Sequence, residues 1–448
     1  MKLYDTLTRK PLALPPAPGP IGIYVCGITP YDSPHLGHAR AAIVFDALVR
    51  TLRELDYTVR YIRNVTDIDD KIIARAAERE VSPVCLADQY TKEYASVVKR
   101  LGCLPPDVEP RVSDHIPDII ALIEKLLEQG HAYSAAGSVY FSVHSFPSYG
   151  KLSGRRIEEL LEGTRVEPGE GKRHPLDFAL WKRAKSGEPS WESPWGTGRP
   201  GWHIECSTMS MKYLGKTIDI HGGGIDLLFP HHENERAQSE AATGRTFARI
   251  WLHNGLVTVN GTKMAKSLGN AFSVEQLLDE FDGNTFRIAV LMTHFAHPFD
   301  FSRRKMEEAR QSLNRFFTLL PPEANPRESG PIVPAIRRSF LEALRENFNT
   351  AKALAVLFEA RKNAGRESLQ QRLKVARTLY ECGRILGLDL FPTLANDEEN
   401  SEIHRLVKER ESARREKRFD VADRIRKELA ERGVILEDTP EGTRWRRT

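Results

Sequence analysis

Cys26, Cys206, His231 and Glu235 carry side-chain types that together could hold a soft divalent metal. Thiolate, imidazole and carboxylate are all accepted zinc ligands. His231 and Glu235 stand four apart and would share one face of a helix, while Cys26 and Cys206 come from distant parts of the chain. That scatter suits a catalytic site assembled from strand ends better than a structural zinc held by paired C-x-x-C motifs. His232 and Glu233 are eligible by the same logic, as ligands or as partners that orient the ligands.

Two further strings could handle a nucleotide. His35-Leu36-Gly37-His38 stands where a helix should begin, and a helix N-terminus offers unpaired N–H groups and the positive end of the dipole to a triphosphate. His35 and His38, one turn apart, could donate to it, and Gly37 would let a purine approach the backbone. Lys263-Met264-Ala265-Lys266-Ser267 lies in a Gly/Asn-rich loop from Asn260 to Asn270. The ammonium groups of Lys263 and Lys266 could follow a departing pyrophosphate and stabilise the transition state more than the ground state. Alone, the first string also describes two histidines in a cap and the second a solvated basic loop; their joint occurrence in this order argues for ATP. Asp226, after a run of glycines ending at Gly224, suits a ribose hydroxyl. Asp69 or Asp70 is read as the cap of a helix over 71–79 rather than as a magnesium ligand.

These residues need a scaffold. Ile21 to Cys26 is short, β-rich and apolar, a Gly/Thr/Pro turn follows, and 36–55 is periodic in the helical sense. Tyr57 to Val65 alternates, with Val59, Tyr61 and Ile62 as the inward set, which predicts a βαβ unit with a parallel sheet. Ligands of such folds bind at the carboxyl ends of the strands, where Cys26 and its loop would lie. Ile116 to Gln129 reads as an amphipathic helix, and residues 110–200, rich in Gly, Pro and Trp, read as an insertion before the sheet resumes at Ile218. The expected division is a Rossmann-like catalytic domain over 1–245, a connecting region with the lysine loop over 246–320, a helical bundle over 321–395 and a small C-terminal α+β module over 396–448. In the last, a single helix from Arg405 to Arg432 and a tail with Trp445 between arginines are expected to meet nucleic acid through guanidinium groups and an aromatic platform.

Composition agrees with a globular enzyme of several domains. The chain has 448 residues, 40% hydrophobic and 28% charged, with a net charge of +4 that neither requires nor excludes a nucleic-acid partner. Five scattered cysteines, an odd number, fit a reducing compartment. No signal peptide or bilayer-length apolar run is read, so the expected setting is cytoplasmic, without membrane association.

The two nucleotide signatures resemble those of class I aminoacyl-tRNA synthetases. Tyr24-Val25-Cys26-Gly27, Asn64 to Ile73, Pro200 to Ser207, Asp219 to Leu227, Pro230 to Glu235 and Trp251 to Gly255 make the chain similar to the cysteinyl-tRNA synthetases over almost its whole length. The resemblance implies an ATP-dependent ligase that converts L-cysteine and ATP, with Mg2+, to cysteinyl adenylate and passes the cysteinyl group to the 3' end of tRNA(Cys). It implies one Zn2+ per chain and selects Cys26, Cys206, His231 and Glu235 as its ligands. It implies catalytic roles for His35, His38, Lys263 and Lys266 and nucleotide contacts at Gly37, Gly224, Asp226 and Lys266. Trp202 and His203 would wall the amino-acid pocket, with Gly27 and Thr66 at its backbone side. Zinc would separate cysteine from the similarly sized serine, because a thiolate binds it far better than a hydroxyl does. A monomer is expected.

Two departures bear on this. The loop after Cys26 has Ile28 and Pro30 where the family pattern has proline and a valine-like residue, a variant that resembles the cysteine–glucosaminylinositol ligase of mycothiol synthesis. Ala265 replaces the first serine of the lysine loop. The basic C-terminal module favours the tRNA enzyme over that relative. A non-catalytic RNA-binding paralogue is disfavoured, because both ATP signatures and all four metal-type residues persist.

Overall fold

The computed structural model describes residues 1–14, 19–156, 171–263, 272–321, 324–391, 397–439 and 442–447. Strands β1 (Lys2–Asp5) and β2 (Lys10–Ala13) form an antiparallel pair ahead of the main sheet. The expected βαβ unit follows as β3 (Ile21–Ile28), α1 (Leu36–Glu54) and β4 (Val59–Val65), with β3 and β4 parallel. The reading of β4 as an alternating strand is corrected. All its residues but Arg60 are buried, Arg63 and Asn64 included, because the sheet is covered on both faces.

Helices α2 (Asp70–Glu78), α3 (Pro83–Arg100) and α4 (Ile116–Glu128) come next. Asp69, not Asp70, caps α2 by accepting from the Lys71 N–H at 2.8 Å. The insertion is an antiparallel sheet of β5 (Ala132–Ala135), β6 (Ser138–Phe141), β7 (Phe178–Arg183) and β8 (Gly198–Pro200). The chain returns through α5 (Trp202–Leu214), β9 (Ile218–Gly224), α6 (Glu233–Thr243) and β10 (Ala248–Asn254).

The four main strands run in the order β10-β9-β3-β4, all parallel. The chain leaves β3 toward one edge and β9 toward the other, so the crevice at the carboxyl ends of these two central strands is the switch point where such sheets bind ligands. Two cores flank the sheet. Ile23, Val25, Phe45 and Leu48 pack on one face and Tyr24, Ile62, Phe141 and Trp181 on the other, the latter uniting the sheet with the insertion.

Beyond β10, strands β11 (Val257–Val259) and β12 (Thr262–Lys263) form a hairpin whose turn residues Asn260 and Gly261 both have positive φ, 50° and 77°. Helices α7 (Val274–Glu280) and α8 (Gly283–Leu291) follow, then β13 (Phe299–Phe301) pairs in parallel with β11, and Ser302 caps α9 (Arg303–Phe317). The predicted bundle is α10 (Pro334–Arg345), α11 (Thr350–Ala364) and α12 (Leu369–Ile385). Its Phe340, Leu357 and Leu379 share one continuous core with Ile23 and Leu48 of the sheet domain.

The single helix expected over 405–432 is instead two, α13 (Asp397–Arg415) and α14 (Phe419–Glu431), broken where Lys417 takes φ 60°. The break lets Ile403 and Leu406 fold against Ile425 and Leu429, with the hairpin β14 (Val434–Thr439) and β15 (Gly442–Arg447) completing a separate core. Trp445 packs on that core rather than standing out as a platform. Arg410 is also internal, bonded to both Asp438 oxygens at 2.7 and 3.0 Å.

A buried arginine on α8 ties α1 to the end of the bundle. Arg287, 1% exposed, donates to Asp46, to Leu101 O at 3.2 Å and to Leu386 O. Without Arg287, Asp46 keeps Arg50 at 2.9 Å and the Leu104 N–H at 2.8 Å, but the buried Leu101 and Leu386 carbonyls lose their donor, a cost of about 1–3 kcal/mol each. Arg287→Leu is therefore expected to lower the thermal midpoint markedly and to open the bundle boundary to protease. An unchanged midpoint and cleavage pattern would show that Arg287 carries no such role.

Candidate active site

Tyr24 and His221 face each other across β3 and β9, and the chemistry-bearing residues cluster beyond them. Cys26 lies near the end of β3 and Cys206 on α5, their sulfurs 3.8 Å apart. His231 sits in a wide turn, Leu228–His232, that leads into α6 and puts its Nε2 3.0 Å from Oε1 of Glu235. The Cys26 sulfur is 3.4 Å from the same carboxylate oxygen. Cys206, His231 and Glu235 are buried and Cys26 is half-buried.

Ligand atoms of these four residues all lie within 4.8 Å of one another, and two sulfurs, one nitrogen and one oxygen suit a tetrahedral zinc. A second set, Cys26, His221, His232 and Glu235, meets the same distance condition. Each of its imidazoles has one ring nitrogen engaged, while His221 Nδ1 and His232 Nε2 are buried without a hydrogen-bond partner among the described residues. His221 Nε2 pairs with Glu235 Oε2 at 2.8 Å, and His232 Nδ1 meets His253 Nε2 at 2.8 Å, itself held by Thr6 at 2.8 Å. Glu233, the other alternative, turns toward the insertion, accepting from Ser153 N at 2.8 Å and pairing with Arg236 at 3.3 Å. His221 and His232 therefore lie around the first set, while Glu233 lies apart from it.

Electrostatics distinguish the four groups. The Cys26 thiol hydrogen-bonds Cys206 and, with His231, brings the Cys206 thiol down to about 6 against the opposing effects of burial and Glu235. Burial, reinforced by Cys206 and Glu235, raises Cys26 well above the usual thiol range. For His231, burial works against the charge, but Glu235 and Cys206 outweigh it and raise the imidazole to about 10. Burial likewise opposes ionisation of Glu235, yet His221 and His231 hold it well below the carboxylate range. Burial and His231 push His203 far down, so it is a neutral acceptor. Its Nδ1, 2.9 Å from His231 Nδ1, can accept a hydrogen bond from a proton on that nitrogen and leave the His231 Nε2 lone pair for a metal.

His203 and Trp202 stand at the start of α5, and Trp202 approaches the His231 ring at 4.3 Å between centroids. Both line a cleft of about 490 Å³ with Thr29, Lys71, Phe178 and Lys182, between the sheet domain and the insertion. Gly27 and Thr66 are held together by Asn64. A Cβ on Gly27 would sit 1.6 Å from Asn64 O, so the backbone contact itself demands glycine. Asn64 receives the Gly27 N–H at 2.9 Å and donates to the hydroxyl of buried Thr66 at 3.1 Å.

The nucleotide signatures frame the other side of the crevice. His35 is the N-cap of α1, and its ring accepts from Gly37 N at 3.1 Å while His38 Nδ1 accepts from His35 N at 3.3 Å. The two rings stack at 3.7 Å, and a Cβ on Gly37 would meet the His35 ring at 2.9 Å. Asp226 is exposed in the turn after β9, and Gly224 leaves room for its carboxylate, since a Cβ there would lie 2.3 Å from Oδ1. Gly222 and Gly223 have packing reasons instead, lying against the Phe45 and His232 rings. Lys263 ends β12, opposite Thr258 of β11, whereas Lys266 and Ala265 lie outside the described residues. On the far side of that segment, Ser273 bridges to His35 and Val274 N donates to Pro34 O at 3.2 Å.

Asn64 and His221 were missed as site residues although both fall in the motifs singled out from the sequence. The signal was a polar side chain toward the carboxyl end of a parallel strand, where such sheets bind ligands. Ile28 resolves as packing. It fills a small core with Ala42, Tyr94 and Val98, and its carbonyl accepts from Thr66 N at 2.9 Å.

The family model for the class I (C) tRNA synthetase catalytic domain matches residues 14–311, that for the DALR domain 339–391, and that for the cysteinyl-tRNA ligase anticodon binding domain 396–446. The chain is 50% identical over 463 residues to the cysteine–tRNA ligase of Halorhodospira halophila, covering 100% of both chains. It is 48% identical over 486 residues to that of a Sulfurihydrogenibium species, covering 100% of this chain and 99% of the relative. Among solved structures, Mycobacterium tuberculosis methionyl-tRNA synthetase bound to methionyl-adenylate superposes with a TM-score of 0.59 at 17% identity, covering 82% of this chain and 89% of that one. A LeuRS ternary complex from Agrobacterium radiobacter gives 0.63 at 12% identity, with 85% and 88% covered, a likeness of fold alone. With a catalytic-domain model spanning most of the sheet domain and insertion and full-length relatives near half identity, the chain belongs to the class I tRNA synthetases, in the cysteine–tRNA ligase family.

Proposed function

We propose that this protein is a cysteine–tRNA ligase, which forms cysteinyl adenylate from L-cysteine and ATP and transfers the cysteinyl group to the 3' end of tRNA(Cys). The observation that carries the reading is the convergence of Cys26, Cys206, His231 and Glu235 at the switch point of the sheet, beside the His35 and His38 helix. In this reading the four residues hold one zinc ion, which when bound supplies a soft Lewis acid that prefers a thiolate to a hydroxyl. His203 holds the His231 proton away from the metal side, and Trp202 closes the pocket wall. His35, His38, Lys263 and Lys266 stabilise charge on the triphosphate, Asp226 takes a ribose hydroxyl and Gly224 gives it room. Attack of the cysteine carboxylate on the α-phosphate needs no protein base, so positioning and charge stabilisation are the whole of the protein's task. Zinc as the metal, Mg2+ with the ATP, a monomer and a cytoplasmic setting belong to the same reading. Among the described residues no helix is long and apolar enough to cross a membrane.

The relative that joins cysteine to a sugar amine was suggested by Ile28 and Pro30. Ile28 has a packing explanation, and the C-terminal module matched by the anticodon-binding model favours a tRNA substrate.

Metal binding should report the ionisation of the site. Between the Cys206 value of about 6 and the His231 value of about 10, Cys206 is already a thiolate while Cys26 and His231 each carry a proton. A metal needs all three deprotonated, so at pH 7.5 binding should release about two protons and its affinity should rise about a hundredfold per pH unit. Calorimetric zinc titrations in buffers of different ionisation enthalpy measure the first, and Cys206→Ser should lose most of its zinc to a chelator. Full zinc retention in that variant, or release of no protons by the parent, would contradict the assignment.

The C-terminal module has a core of its own. Deleting the chain from Asp397 onward should therefore leave cysteine-dependent pyrophosphate exchange within about threefold of the parent while tRNA charging falls steeply, and charging by the full chain should weaken as salt rises. Truncation that impaired both reactions equally, or efficient ligation to glucosaminylinositol without tRNA charging, would favour the sugar-amine enzyme.

A further inference from the structure

Arg40 lies two residues after His38 on α1, and its side chain points away from the nucleotide crevice into the protein. It is 1% exposed, yet among the described residues no carboxylate pairs with it. Its charge is met by four backbone carbonyls. One terminal nitrogen donates to Gly255 O and Leu256 O, both at 2.7 Å, and the other to Phe295 O at 3.0 Å and to His297 O. Reaching four carbonyls at once with one planar fork is a task lysine performs incompletely, since it has three N–H donors and lacks the fixed geometry.

The four carbonyls belong to two segments that are also joined by Gly255 N to Phe295 O at 2.8 Å, by Phe299 N to Leu256 O at 2.9 Å and by the pairing of β11 with β13. Gly255 comes so close to the other segment that a Cβ would lie 2.4 Å from His297 O. Leu256 leads directly into β11, and two residues on, Thr258 stands opposite Lys263 of β12. Asp300 fastens the same hairpin, accepting from the Thr258 hydroxyl at 2.8 Å and from Gly261 N at 2.7 Å. A continuous path thus runs from the helix that carries His35 and His38, through Arg40 and Leu256, to the strand pair that ends at Lys263.

We propose that Arg40 is a positioning residue for adenylate formation, holding the His35/His38 helix in fixed register with the β11–β12 hairpin that delivers Lys263. The proposal rests on the reading of the chain as an adenylate-forming synthetase. Arg40 touches neither substrate nor reacting atoms; it fixes the distance between two groups that do. A small error in that distance weakens transition-state contacts more than ground-state binding, so the effect belongs in the rate of the chemical step and not in substrate affinity.

The test is a double-mutant cycle on the full-length protein, reading cysteine-dependent ATP–pyrophosphate exchange and the single-turnover rate of adenylate formation in Arg40→Gln, Arg40→Lys, Lys263→Ala and the two double variants. Arg40→Gln is expected to lower the single-turnover rate about thirtyfold, within the range that misplacement produces, with the KM for ATP and cysteine changed less than about threefold. Arg40→Lys should recover part of that loss. In the Lys263→Ala background either Arg40 change should cost less than about threefold more, because the group being positioned is gone. Losses that multiply in the double variants would overturn the proposal, as would a rise in KM at unchanged rate. If both Arg40 variants unfold at the assay temperature, by circular dichroism, Arg40 is a residue of the fold and the proposal also falls. Absence of exchange in the parent protein would instead overturn the synthetase reading itself.

Discussion

A single buried carboxylate, Glu235, sets the terms for the catalytic centre. It is fully buried, and it keeps its charge only because His221 and His231 face its two oxygens at 2.8 and 3.0 Å. Those contacts fix the turn before α6, orient His231, and leave one carboxylate oxygen beside the Cys26 sulfur. The outer ring, His232 with His253 and Thr6 with His253, extends the same hydrogen-bonded layer to the N-terminal strand pair. A buried charge without these partners would cost several kcal/mol. The cost is offset by a donor set whose members cannot drift apart.

The parallel sheet supplies the other half of the arrangement. Its central strands deliver Cys26 and the loop before Asp226 to one crevice, and α1 opens at the same edge with its cap made by the two histidines themselves. The lysine segment is anchored on both sides to this helix, by the Arg40 carbonyl cluster before it and by the Ser273 bridge to His35 after it. The four metal-type residues and the two cap histidines therefore share one rigid reference, the carboxyl edge of β3.

Much of this was legible in the residue pattern. The βαβ unit, the insertion and a cap at Asp69 or Asp70 follow from apolar periodicity and capping residues, which are local signals. The candidate metal quartet was suggested by residue types and by the family resemblance, while its convergence depends on tertiary contacts between β3, α5 and the turn into α6 that no spacing encodes. For the same reason Asn64, His221 and Arg40 were overlooked as organising residues, since their partners stand anywhere from 2 to 257 positions away with no periodic signature. The break at Lys417 was missed because a run of charged, helix-forming residues hides a positive φ in a non-glycine residue. Trp445 was misread because a tryptophan between arginines looks solvent-facing until the alternation of a strand turns it inward.

The most direct test of the account is the zinc X-ray absorption spectrum of the full-length protein, alone and with L-cysteine or L-serine. The account predicts a shell of about two sulfurs near 2.3 Å and two lighter atoms near 2.0–2.1 Å, the distances usual for such ligands, gaining one sulfur with cysteine and none with serine. A shell without sulfur, or one that cysteine leaves unchanged, would contradict it.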